Sequence, residues 1–229
     1  MLLLAVGAFA QKGVTTFGIQ VKPVIPVEFF DPLTSVERPN LKGTVELTGG
    51  NAFGMSIRVG LTNTLSFETG IGQIKRSYIF GLTNDTSGFT GSERVRFVGY
   101  EIPVTGLAFI RLGERVWMNT ALGFSIDMYP SDVRSDLESG QIYIFRRRWV
   151  QMGVLGNLGV EYRTERSGSF YLGATFRRPF NDMAVAELTY LGPNFFPYPM
   201  RTALDGSYLT LDLRYYFHED PEARLKRKG

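Results

Sequence analysis

Cysteine is absent from the 229 residues, and histidine occurs once, at His218. The first absence excludes a disulfide framework, a thiolate metal site and a sulfur nucleophile. The second excludes a Ser-His-Asp relay, because His218 stands beyond the last patterned segment and no other imidazole exists to take a serine proton. No apolar run approaches the roughly 18 residues of a membrane-crossing helix, and mean hydropathy is −0.04. The sequence contains no P-loop, no H-E-x-x-H, no G-x-G-x-x-G after a strand-like segment and no His/Cys cluster at metal-ligand spacing. Glu28, Asp31 and Glu37 lack the dense spacing of a calcium loop. The expectation is no catalytic residue, no cofactor and no bound metal.

An apolar content of 44% with 14% aromatics is too high for a disordered chain, and no break in composition divides it, so one folded domain is expected. Its strongest local pattern is Tyr208-Leu-Thr-Leu-Asp-Leu-Arg-Tyr-Tyr-Phe217. Leu209, Leu211, Leu213, Tyr215 and Phe217 fall on one phase, and Tyr208, Thr210, Asp212, Arg214 and Tyr216 on the other. Strict alternation marks a strand, whose side chains point to opposite faces in turn. The run is long for a soluble strand of about 5 or 6 residues and suits a tilted membrane-spanning strand of about 9 to 11.

Period-two runs recur at 14–25, 51–61, 65–79, 94–111, 116–129, 149–163, 169–179 and 208–217, and no segment carries a helical period. The connectors alternate between long (26–50, 80–93, 130–148, 180–207) and short (62–64, 112–115, 164–168). That rhythm predicts an all-β, eight-stranded, antiparallel up-and-down transmembrane barrel with long loops at one end and short turns at the other, a form that hydropathy misses because half the residues face inward. Pro103, in the middle of the fourth run, predicts a bulge.

The two phases differ in chemistry. One carries Phe53, Met55, Ile57 and Val59, then Met118, Leu122, Phe124 and Ile126, then Met152, Val154, Leu158 and Val160. The other carries Gly54, Ser56 and Arg58, then Asn119, Gly123, Ser125 and Asp127, then Gly153, Asn157, Gly159, Glu161 and Arg163. A solvated face gains nothing from glycine, which weakens strands, whereas the crowded bore of an eight-stranded barrel needs it. The glycine-and-charge phase is therefore expected inside and the apolar phase against lipid. Charges enclosed in a narrow bore must be paired. The expected interior network is Lys22, Arg58, Glu68, Glu101, Asp127, Glu161, Arg177, Asp212 and Arg214, five acids against four bases. The Thr62-Asn63-Thr64 turn sets Arg58 opposite Glu68, and one register of the next hairpin sets Glu101 opposite Asp127, with Arg58 or Arg177 in reach to neutralise the carboxylates. A bore filled in this way is not an open pore.

At the N-terminus, residues 1–10 end Ala8-Phe9-Ala10 and read as the core and cleavage site of a secretory signal peptide, with the mature chain from Gln11 and the barrel over 11–217. The basic leader is missing, and the alternative is an ordinary buried segment. Residues 218–229 open with acids and close with Arg224, Lys226, Arg227 and Lys228, a short solvated tail. A net charge of +3 is scattered apart from that tail and Arg146-Arg147-Arg148, so no nucleic-acid partner is expected. The last long connector holds Tyr190, Phe195, Phe196 and Tyr198 among three prolines, a candidate partner-binding loop or a lid folded over the mouth, echoed in the first connector by Phe29, Phe30, Pro32 and Pro39.

Over residues 12–217 the chain resembles the small outer-membrane barrels of the OmpX and OmpA-transmembrane type, in particular the OmpA-like β-barrel domain family of Bacteroidota that includes PorT-like proteins. The motifs are Tyr215-Tyr216-Phe217, Tyr100-Glu-Ile-Pro103, and Gly156-Asn-Leu-Gly-Val-Glu-Tyr162 with Gly168-Ser-Phe-Tyr-Leu-Gly173. The resemblance implies a bacterial outer-membrane location, and makes Leu209, Leu211, Leu213, Tyr215 and Phe217 an assembly signal read by the barrel-assembly machinery, here internal because residues 218–229 follow it. The expected role is a non-enzymatic envelope scaffold, or a surface protein binding a ligand or partner through its outer loops, with Arg146-Arg147-Arg148 at the outer rim suited to lipopolysaccharide phosphates. Its alternatives are an accessory subunit of an outer-membrane secretion machine and, resting on Glu101 and Asp127, a lipid-modifying enzyme.

Overall fold

A computed structural model describes residues 13–26 and 33–218. The expected signal segment 1–10, the loop residues Glu28, Phe29, Phe30, Asp31 and Pro32, and the tail from 219 to 229 lie outside the described residues. Within them the chain forms β1 (Thr15–Ile25), β2 (Leu33–Arg38), β3 (Leu41–Gly60), β4 (Leu65–Asn84), β5 (Phe89–Arg111), β6 (Val116–Met128) and β7 (Val133–Leu137). It continues with β8 (Gly140–Arg146), β9 (Val150–Arg163), β10 (Ser169–Pro179), β11 (Ala184–Leu191), β12 (Pro197–Leu204) and β13 (Tyr208–Tyr216). A single turn of 3₁₀ helix, Pro193–Phe195, joins β11 to β12.

The main sheet runs β1-β13-β10-β9-β6-β5-β4-β3-β2, with every pairing antiparallel, and β1 also bonds to β3. It therefore closes on itself, leaving β2 as a flap on β3. Gly18 pairs with Tyr216 on one side of β1 and with Ser56 on the other. The hairpins Leu61–Leu65, Leu112–Val116 and Thr164–Gly168 turn tightly at one end of this ring.

At the other end the expectation of long loops is corrected. The described residues hold thirteen strands, not eight, because the long connectors are themselves β-structure. β3, β4 and β5 run on for 20, 20 and 23 residues, well past the ends of their neighbours. Opposite them lies a second sheet, ordered β12-β11-β8-β7. The two layers bury Val45, Phe80, Leu82, Phe97, Ile142, Ile144, Ala186, Leu188 and Met200 between them. At the seams β5 meets β7 and β2 meets β12. A β-sandwich thus caps the mouth of the ring.

One register shift marks the transition. Between Leu47 and Gly49 of β3 the pairing with β4 slips by one residue, and Gly49 takes a φ of +130°, open to glycine alone. The slip changes which phase of β3 faces in, so Leu41, Val45 and Leu47 enter the cap core while Ser56 and Arg58 enter the bore. The bulge expected at Pro103 does not occur. The β4–β5 register is the same at Thr69↔Val104 and Gly72↔Glu101, and the ladder is merely interrupted between them, which absorbs the missing donor.

Candidate functional site

All nine residues of the expected interior set are buried, and Arg177 and Asp212 are wholly so. They form two clusters. Nearer the tight turns, Arg58 donates from Nε to Glu68 Oε2 at 3.1 Å and from Nη1 to Glu161 Oε2 at 2.6 Å. Arg214 donates from Nη1 to Glu68 Oε1 at 2.8 Å and also pairs with Asp212. Tyr216 donates its hydroxyl to Glu68 at 2.8 Å. Asp212 accepts from Thr175 and Thr210, each at 2.6 Å, and lies 3.8 Å from Lys22 Nζ. Every carboxylate here is held by a cation, with hydroxyl donors added at Glu68 and Asp212, the condition under which enclosed charge is tolerable.

Nearer the cap, Glu101 stands opposite Asp127, and one guanidinium, Arg177, reaches both. Its Nε lies 3.8 Å from Glu101 Oε2, and Tyr208 donates its hydroxyl to the same oxygen. Between the clusters a cavity of about 20 Å³, lined by Lys22, Gln73, Thr175, Tyr208 and Thr210 among others, has room for a single water.

Two interior cations were not in the expected set. Arg163 donates to Glu161 at 2.6 Å and stacks on Phe109 and Trp117 at 4.9 and 4.6 Å, closing the turn end of the bore. Arg76 is buried on β4 and pairs with no carboxylate among the described residues. It stacks over Tyr208 at 4.9 Å and donates to the Gly206 carbonyl at 3.5 Å. Tyr129 faces Arg76 in this floor between bore and cap, where Gln151 Oε1 and Ser207 Oγ have no hydrogen-bond partner among the described residues. With Arg76 and Arg163 the interior holds six cations and five carboxylates. Arg76 was legible as an inward position, on the same phase as Glu68, Ile74 and Tyr78.

The outer faces invert the inner ones. Around the ring the exposed phase is apolar: Leu122 is 75% exposed, Phe53 60% and Leu158 57%. Leu211, Leu213 and Phe217 belong to this band, with Tyr215 and Leu209 half-buried in it. On the outer face of the cap, Lys42, Glu46, Arg94, Arg96, Arg134 and Arg201 take those places. Of the aromatic loop, Phe195, Phe196 and Tyr198 are exposed, whereas Tyr190 is corrected: it is buried in the cap core, its hydroxyl 3.1 Å from Ser87 Oγ.

No family model and no curated protein matches the sequence. Among solved structures the chain overlaps the attachment invasion locus protein Ail of Yersinia pestis, solved with a heparin analogue, at 11% identity and TM-score 0.40 over 90% of this chain and 99% of that one. It overlaps the outer membrane protein AlkL at 14% and 0.43 over 96% and 97%. It overlaps the outer membrane protease OmpT of Escherichia coli at 12% and 0.38 over 89% and 96%. Likeness this loose carries no function from those proteins to this one.

Proposed function

We propose that the chain is an integral protein of the bacterial outer membrane: an eight-stranded transmembrane barrel whose filled bore anchors a β-sandwich displayed outside the cell, where it serves as a scaffold and binding surface. One observation carries this reading. Along continuous strands the side-chain chemistry turns inside out at the Leu47/Gly49 bulge, from apolar outside and charged inside to polar outside and apolar inside. Water on both levels gives no reason for such a reversal, whereas lipid below and water above require it. β6, at 13 residues, has the right span, since a strand of that length tilted by about 40° rises roughly 30 Å against an apolar band of about 25 Å.

The tight turns then face the periplasm and the cap faces out. Lys75, Arg148 and Arg178 are exposed near the cap end of the band and make no ion pair among the described residues. They are placed for the phosphates of lipopolysaccharide. The outward Leu211, Leu213 and Phe217 are available to assembly machinery.

Absence of enzymatic activity is part of the proposal. Glu101 and Asp127 are buried between the cap floor and the lower cluster, and share one arginine, so neither is free to hold or move a proton on a substrate. The filled bore likewise argues against a diffusion channel.

The test is electrophoretic mobility in detergent. An unheated sample is expected to run ahead of a boiled one, and equal mobilities would remove the barrel reading. Purification in mild detergent as a stable large complex would move the role from scaffold to secretion-machine subunit.

A further inference from the structure

The β11–β12 hairpin climbs away from the bore, its Ala184 end beside Arg146 at the rim and its Leu191 end at the summit of the cap. From 190 to 200 the sequence has no charged residue and has three prolines and four aromatics. Tyr190 roots this segment in the cap core, where it packs against Phe89 with ring centroids 5.7 Å apart. Beyond it, Phe195 is 82% exposed and Phe196 63%.

Phe195 also has a φ of 59°, in the left-handed region that glycine enters freely and a bulky side chain enters only under strain. A ring so exposed repays that strain with little packing in the fold itself. The strain is imposed by a closed turn: the Phe195 amide donates to the Gly192 carbonyl at 3.0 Å, and the Gly192 amide to the Phe196 carbonyl at 2.9 Å. A strained residue held by its surroundings and aimed outward is a mark of a contact made elsewhere.

The chemistry of the tip selects among partners. Protein hot spots favour tryptophan, tyrosine and arginine, whereas the two most exposed rings of this tip are phenylalanines. An added strand needs amide donors, and Pro197 and Pro199 take donors out of β12. A membrane interface asks for neither: phenylalanine beds into the boundary between headgroups and acyl chains, and a turn whose Gly192 and Phe195 amides are already bonded enters at low cost. The tip stands at the end of the molecule opposite the apolar band, so the bilayer it meets is not the one the barrel spans.

We propose that Phe195 and Phe196 insert into the headgroup boundary of a second phospholipid bilayer facing the cap, an inference that rests on the transmembrane orientation argued above. The test uses the whole protein in lipid nanodiscs, floated on a density gradient with separate phosphatidylcholine vesicles. Wild-type discs are expected to rise with the vesicles, and F195S/F196S discs to bind at least tenfold less. Phe195→Gly should weaken flotation several-fold while the melting temperature stays level or rises, because glycine relieves the left-handed backbone. Wild-type discs that stay at the bottom would overturn the proposal, as would variants that float equally well or discs that pair with one another in the absence of vesicles. Protein that never enters nanodiscs would sink the transmembrane reading along with it, whereas embedded protein indifferent to vesicles sinks the tip proposal alone.

Discussion

Arg58 and Glu161, 103 residues apart in sequence, meet across the bore with Nη1 and Oε2 at 2.6 Å. The same guanidinium holds Glu68 on its other side and lies over the Tyr216 ring at 3.8 Å. Arg58→Leu would leave two carboxylates enclosed with fewer cations, and breaking a buried ion pair from one side costs about 3–5 kcal/mol. We expect a correspondingly lower urea midpoint for protein folded in lipid vesicles. Adding Glu68→Gln and Glu161→Gln should restore much of it, and a single Arg58→Leu with an unchanged midpoint would mean that the cluster is not what holds the wall strands together.

The reversal of the outer face makes a paired prediction. Leu122 lies at the middle of β6 on the exposed phase, and Ser92 holds an exposed position on the cap portion of β5. An arginine at the midplane of a bilayer costs about 2–4 kcal/mol on the lipid face of a barrel, whereas a solvent-exposed substitution usually stays within about 0.5 kcal/mol. Leu122→Arg should therefore impair folding into vesicles and Ser92→Arg should not. Equal tolerance of both would point to water on both levels.

The bore was largely legible in the sequence, and the cap was not, for one physical reason. Inside the ring, glycine and charge alternate with apolar residues, so the inward phase announces itself, and the three-residue turn after Leu61 leaves Arg58 opposite Glu68. In the cap the alternation breaks down. The bulge at Leu47/Gly49 flips the phase of β3, so a run read from 51 stops where the strand continues down to Leu41. β11 buries Leu188, Thr189 and Tyr190 in succession, which erases its period, and β12 carries Pro197 and Pro199, which read as loop. Arg76 lay on the inward phase of a recognised run, but its partners were not legible, because only the fold brings Tyr208 and Gly206 to it.

Glycines on the inward phase fill a packing role that those on the outward phase do not. A Cβ on Gly173 would fall 2.1 Å from Tyr171 Oη and 2.6 Å from the Leu158 carbonyl, while one on Gly156, on the outer phase of β9, would meet nothing within 4 Å. Overpacking of this kind costs about 1–3 kcal/mol, and relieving a strand of glycine stabilises by about 0.5–1 kcal/mol. Gly173→Ala should lower the thermal midpoint in detergent and should also displace Tyr171 from Asn157, whose Oδ1 accepts its hydroxyl at 2.6 Å. Gly156→Ala should leave the midpoint level or raise it. The reverse ranking would place the wrong phase inside.

The cap and the ring share β3, β4 and β5 but have different cores, one apolar and one ionic, so damage to the first should leave the second standing. Phe80 is wholly buried in the cap, among Val45, Phe97 and Leu188. Phe80→Ala deletes a ring there at a cost of about 3–5 kcal/mol, a large share of what a small sandwich has to spare. The expected outcome is protease cleavage within 130–148 and 180–207 of the lipid-embedded variant, with the ring's heat-dependent gel mobility kept. Loss of that mobility together with the cap would instead make the two levels one cooperative unit, held through Arg76, Gln151 and the Met183 and Gly206 backbone at the floor between them.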